Sequence, residues 1–521
     1  MLCVIALAAL SGPVPKAGVV VLATLIALTL VHPGKRARAA SMLGASVLAP
    51  VLLLAAIWHS PQLRLIHHHP LRAVLAALIA LAALGLVARA IYRRPWLLGP
   101  LVVLTLPFRI PISAGGTTSN LLVPLYFVVG AGALAFIVPT LFVRASSGAG
   151  RENGVVEDQP PPGWVERLLA LYVVLYGLQA IYSPSFEKAL QQMVFFYVPF
   201  ALVFCLLRRL RWGPQLLRRC LIVVVSLALV FCAIGFVEYA TKHLLLNPKL
   251  IAEDNVHTYF AINSVFFDPD IFGRFLALVM IIVATVLVYT RRERIQWLSV
   301  GVLGVLWAGL VLTLSRSSLA ALLVGLGVIG AMRWRARPVI LAAVAVVAIG
   351  IAALVISPTT FGLNQGLNGA SSGRAGLASG GLRLFSQRPV WGYGSASFEK
   401  EYLCRIKQEC GPVSATSQTL SASHTIAITV AAEQGLVGEL PYLALVVVAA
   451  IVLVRGARVE PARVAVAAAF LALVFHTELY ADFLEDPITW TLLGIGTALA
   501  YAARPRGQPT AVGSAEVTTA V

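Results

Sequence analysis

The chain has 521 residues, of which 59% are hydrophobic and only 12% are charged. Soluble domains carry about 25% charged residues, so this composition excludes a soluble globular protein and assigns the chain to a lipid bilayer. Lysine and arginine outnumber aspartate and glutamate by 40 to 22, and the positive-inside rule accounts for the resulting +18 better than a nucleic-acid partner does.

Residues 2–10 are apolar but too short and too poor in basic residues for a signal peptide, and read as a half-span. From there, apolar runs long enough to cross a membrane are predicted to begin near Val14, Ser41, Leu71, Trp96, Asn120, Arg167, Ala189, Leu221, Arg274, Gln296, Ser317, Val339, Gly438, Arg463 and Leu484. The expected fold is therefore all-α, a polytopic integral membrane protein of about 12–15 transmembrane helices. Basic clusters at 35–38, 89–94, 144–151, 208–219, 291–294, 333–337, 455–463 and 504–506 are each separated from the previous one by an even number of spans. One topology thus makes all of them, and the C-terminus, cytoplasmic. The remaining loops, at 59–70, 111–120, 182–188, 241–273, 313–318, 357–423 and 478–486, then lie outside.

The resulting organisation is an N-terminal group of transmembrane helices (1–143), a cytoplasmic linker (144–166) containing DQPPPG, and central transmembrane helices (167–356). A large extracytoplasmic loop (357–423), C-terminal helices (424–503) and a disordered cytoplasmic tail (504–521) follow. Cys3, Cys205, Cys220 and Cys232 fall in or beside spans and read as small apolar residues. Cys404 and Cys410 share the large loop, where an oxidising compartment permits a disulfide staple; as a metal site they lack partner ligands.

Ionisable groups at a membrane face are costly and point to function. Those needing an explanation map to one side: Arg274 heading a span, Arg316 in the tight turn TLSRSS, Arg374, Arg383 and Arg388 in the large loop, and His424 opening the apolar run SHTIAITVAAEQGLVG. Converging arginines suit an anion such as phosphate, and a histidine beside them suits general-base chemistry. The competing readings are a helix-capping histidine and arginines that snorkel to lipid headgroups, an even alternative for Arg383 and Arg388. Gly392 and Gly394 either shape a turn or admit a substrate to the backbone. The acids Glu478, Asp482, Glu485 and Asp486 read equally as a solvated loop. The DPD at 268–270 fits a divalent metal weakly and also fits helix N-terminal charges.

In this order, these residues resemble the O-antigen ligase and Wzy-type polymerase superfamily over residues 182–499. The opening motif corresponds to His424, Thr425, nine residues, Gly435, two residues and Gly438, with Thr425 standing where asparagine, serine or glutamine is usual. TLSRSSLAALLVG (313–325), NSVFFDPDIFGRFLAL (263–278) and SGRAGLASGGLRLFSQRPVWGYGSASF (372–398) correspond to further family stretches. Asp270 stands at a family asparagine position, which argues against a metal at DPD. The resemblance implies a GT-C-like membrane glycosyltransferase that uses no metal or other cofactor. Its donor would be a glycan on undecaprenyl pyrophosphate at the outer face of the cytoplasmic membrane, and its acceptor a glycan or lipid. His424 would act as base, with Arg316, Arg374 and Arg274, joined by Arg383, on the pyrophosphate. Ligase and polymerase both remain open, and an anion transporter or channel is the reading from a different class.

Overall fold

Ten helices among the described residues are long and apolar enough to cross a membrane, and the chain is an all-α polytopic membrane protein. The computed structural model describes residues 12–57, 70–114, 117–142, 161–245, 260–334, 337, 341, 374–410, 422–480 and 483–503. In chain order these form α1 (Pro13–Val31), α2 (Lys35–Ile57), α3 (Pro70–Arg93), α4 (Leu98–Thr105), the antiparallel hairpin β1 (Ile110–Ala114) and β2 (Thr117–Leu121), and α5 (Val123–Phe142). Next come α6 (Trp164–Ala180), α7 (Phe186–Gln192), α8 (Val198–Arg208), α9 (Pro214–Thr241), α10 (Pro269–Tyr289), α11 (Glu293–Leu312) and α12 (Arg316–Arg333). The last four are α13 (Arg374–Gln387), α14 (Ile426–Val454), α15 (Pro461–Thr477) and α16 (Pro487–Ala502).

Local chemistry sets several of these boundaries. The span predicted near Trp96 is only the eight-residue α4, because Pro107 ends it and the chain turns into the hairpin. A π turn at Met193–Tyr197 joins α7 to α8 just ahead of Pro199, whose ring disfavours a regular i→i−4 ladder. Asp268, Ser315 and Asp486 cap α10, α12 and α16 by accepting the amides of Asp270, Ser318 and Ile488. Proline at N1 adds to two of these starts, at Pro269 and Pro487. The predicted span near Val339, the linker core, the C-terminal tail and residues 357–373 and 411–421 of the large loop lie outside the described residues.

The span Phe186–Arg208 and helices α10, α15 and α16 form the buried centre, whereas α3 turns Leu71 (82% exposed) and Leu86 (70%) outward, as suits a lipid-facing helix. Basic groups gather at one end of the bundle. Arg333 lies over Tyr289 at 5.3 Å, the Tyr289 hydroxyl reaches the Arg458 carbonyl at 3.5 Å, and Arg463 closes the α14–α15 turn on the Gly456 and Arg455 carbonyls. The opposite end joins the N-termini of α10, α12, α14 and α16 to the C-terminus of α15, and it carries the residues singled out in the sequence.

Candidate functional site

Helix caps build the first part of this site. Asp268 Oδ1 caps α10 by accepting the Asp270 amide at 2.7 Å, while Oδ2 accepts from the Tyr480 hydroxyl at 2.6 Å. Asp270 Oδ1 accepts from Ser315 Oγ and from Ser317 Oγ (3.2 Å), and its Oδ2 lies 3.5 Å from Arg374 Nη2. Both carboxylates of DPD are thus engaged by protein groups, and among the described residues no cluster of three His, Cys, Asp or Glu side chains could hold a metal. Arg316 sits on the same turn as these serines, exposed to the surface, and makes no ion pair among the described residues.

His424 reaches the cluster through Tyr480. The two rings are 6.0 Å apart, and Tyr480 also packs 5.9 Å from the ring of His476. His424 adopts φ 60°, a left-handed conformation disfavoured for a residue with a β-carbon. The flanking residues hold it there: Ser423 is fully buried with its hydroxyl 2.8 Å from Thr429 Oγ1, and Thr425 Oγ1 donates to the Glu478 carbonyl at 3.2 Å. Thr425 therefore ties the entry of α14 to the end of α15.

The remaining arginines separate. Arg274 is 2% exposed and pairs with Asp486 at 3.0 Å, an internal tie between α10 and α16. Asp486 is accordingly part of the frame rather than of a solvated loop, while Asp482 lies outside the described residues. Arg383 is nine residues beyond Arg374 on α13, which at about 100° per residue puts it on the opposite side of the helix. Arg388, also exposed, covers Tyr393 at 4.7 Å.

The motif glycines meet one another. Inside α14, Gly435 has φ 60° and ψ −164°, which interrupts the helix. A continuous helix would pair the amides of Leu436 and Val437 with the carbonyls of Ala432 and Glu433. Instead those amides donate to Pro389 (2.8 Å) and Val390 (3.2 Å), and those carbonyls accept from Tyr393 (3.3 Å) and Gly394 (2.7 Å). A β-carbon on Gly435 would lie 2.4 Å from the Val390 carbonyl oxygen, and one on Gly392 would lie 2.3 Å from that of Glu433. The close approach at Gly392 is therefore between two stretches of backbone. Gly394 packs on Ser183, and Gly438 packs on the Gln434 side chain. The Glu433 carboxylate completes the junction by accepting the Ala396 and Phe398 amides at 2.8 and 2.9 Å. Beyond it, Cys404 and Cys410 form a disulfide.

Two residues of the network, His476 and Tyr480, are not among those singled out in the sequence. The available signal was of the same kind as for His424, an imidazole at the end of an apolar run, in FHTELY (475–480). Burial, reinforced by the neighbouring Asp270, pushes the Asp268 carboxyl above its ordinary range, and the Tyr480 hydrogen bond opposes this. Burial likewise raises Glu478. Because folded Asp268 holds its proton to higher pH than the unfolded chain does, its contribution to stability falls as pH rises from the ordinary carboxylate range through the raised one. Asparagine can keep both the cap and the Tyr480 contact. The melting temperature of Asp268→Asn relative to wild type should therefore rise between pH 4 and pH 7, and a flat difference would contradict this burial effect.

Comparison with known proteins bears on the middle of this arrangement. No curated protein matches the chain. Residues 301–443 match the family model Wzy_C, described as O-Antigen ligase. The matched segment contains Arg316, Arg374, the Gly392 and Gly435 junction and His424, and it ends before His476, Tyr480 and Asp486. That match supports the O-antigen ligase/Wzy superfamily for this chain.

Proposed function

We propose that the protein is a membrane glycosyltransferase that moves a glycan from an undecaprenyl-pyrophosphate donor to an acceptor sugar hydroxyl at the outer face of the cytoplasmic membrane. The observation that carries this reading is the unbroken run of contacts from His424 through Tyr480, Asp268 and Asp270 to Arg374 and the turn bearing Arg316. It sets a candidate base and two cations along one end of the bundle, opposite the basic end that the positive-inside rule makes cytoplasmic.

In the proposed reaction, His424 takes the acceptor hydroxyl proton as the oxygen attacks the anomeric carbon from the face opposite the leaving group. The bond from that carbon to the pyrophosphate oxygen breaks, the configuration inverts, and undecaprenyl pyrophosphate departs with the bonding pair. Arg316 and Arg374 bind the pyrophosphate and stabilise the charge that grows on it, a role in which fixed donors contribute several kcal/mol. Arg274, already paired with Asp486, holds α10 and α16 in place for them.

The test incubates purified protein in detergent with an undecaprenyl-pyrophosphate oligosaccharide and candidate acceptors, with and without EDTA. Release of lipid pyrophosphate coupled to a longer saccharide, resistant to EDTA, is expected; a ladder of products would identify a polymerase, and a single transfer a ligase. Tight donor binding with no turnover across all acceptors would favour transport instead. Arg316→Ala should raise the donor KM about tenfold and leave the melting temperature unchanged, since the side chain is exposed. An unchanged KM would remove Arg316 from the donor site.

A further inference from the structure

His476 occupies the last turn of α15 with no solvent exposure, and its Nε2 lies 3.3 Å from Ser317 Oγ and 3.3 Å from Ser318 Oγ at the start of α12. Counting protons assigns the role of that nitrogen. Each serine hydroxyl has one proton, and a carboxylate only accepts. Ser315 and Ser317 both direct theirs to Asp270 Oδ1. Ser318 donates its own proton to the Asp270 carbonyl at 3.3 Å. With the protons directed in this way, the two hydroxyls that face the ring present lone pairs to it, and Nε2 carries the hydrogen.

We propose that His476 is a positioning residue: as an Nε2–H donor it holds the turn at 315–318 so that the serine hydroxyls fix Asp270, and through Asp270 the Arg374 guanidinium beside Arg316, for the pyrophosphate of the donor. Its burial keeps it from touching substrate, so it acts only through these neighbours. It also connects the part of the chain matched to the ligase family with the C-terminal helices beyond it. The identity of the ligand rests on the glycosyltransferase reading, whereas the tautomer does not.

The competing role is simple packing, since the ring also lies against Tyr480. Two substitutions separate them. His476→Gln keeps an N–H donor near the position of Nε2, and His476→Met fills similar space with none. With geranylgeranyl pyrophosphate as the probe and intact protein in detergent, the methionine variant should bind about tenfold more weakly than wild type and the glutamine variant within about threefold. Equal weakening in both variants, or none in methionine, would overturn the proposal. Side-chain nitrogen NMR of histidine-labelled protein, assigned by the signal lost in either variant, should show the Nε2–H tautomer; Nδ1–H would overturn it independently. Failure of wild type to bind the probe would sink the donor assignment and this role together, and the tautomer would still report whether the hydrogen-bond arrangement stands.

Discussion

His424→Ala should lower the rate of transfer by about a hundred- to ten-thousand-fold, the range that a positioned general base contributes, with normal membrane insertion. The expectation follows from how the residue is held. Its backbone is in the left-handed region, and neighbouring hydrogen bonds from Ser423 and Thr425 anchor the chain on both sides of it. Alanine tolerates that conformation no better than histidine, so a fall in activity could be blamed on backbone strain. His424→Asn removes the ambiguity, because asparagine enters the left-handed region readily yet cannot accept a proton near neutral pH. Both variants should therefore show a loss of that size in single-turnover release of lipid pyrophosphate, with asparagine melting at or above the wild-type temperature. Near-normal transfer in His424→Asn would exclude this imidazole as the base and leave the ring a capping or interfacial residue.

The gathering of Arg274, Arg316, Arg374, His424 and Asp486 at one end of the bundle was legible in the sequence. Lipid imposes long apolar runs, and each crossing alternates the side on which the next polar loop falls. Hydropathy and alternation give no partner within that end. Arg274 and Asp486 are more than two hundred residues apart, and only the fold, which packs α10 and α16 both against α15, reveals that each neutralises the other. Arg374 and Arg383 share one basic stretch of the sequence, and helix α13 sets them on opposite faces. The break in α14 is hidden for a different reason. Residues 426–434 and 436–454 are both apolar enough to read as one run or as a loop followed by a span, and backbone hydrogen bonds carry no hydropathy signal. The glycines hinted at it, but one chain alone does not say that Gly392 and Gly435 face each other.

Gly435→Ala should destabilise the protein by about 3–5 kcal/mol, the sum of strain at positive φ and the loss of several backbone hydrogen bonds worth about 1 kcal/mol each. The added methyl group has no flexible neighbour to displace: it would meet the Val390 carbonyl oxygen at 2.4 Å and the Gly392 amide nitrogen at 2.7 Å, both main chain. Either the segment 389–394 must withdraw or α14 must close into a continuous helix, and both routes break the four bonds that stitch them together. The break in α14 persists because the backbone of 389–394 satisfies the groups it frees. Withdrawal would also pull the Ala396 and Phe398 amides off Glu433, loosening the segment from Gly392 to the Cys404–Cys410 disulfide. Gly301→Ala supplies the control, since its added carbon meets nothing within 4 Å and lies in a helix where alanine is the better former. Hydrogen exchange should quicken at 389–398 and 432–437 in the first variant and stay slow in the second. Because Arg374 reaches Asp270 from α13, which precedes this junction directly, donor binding should weaken along with it. Unchanged protection in Gly435→Ala would show that the two segments do not depend on each other.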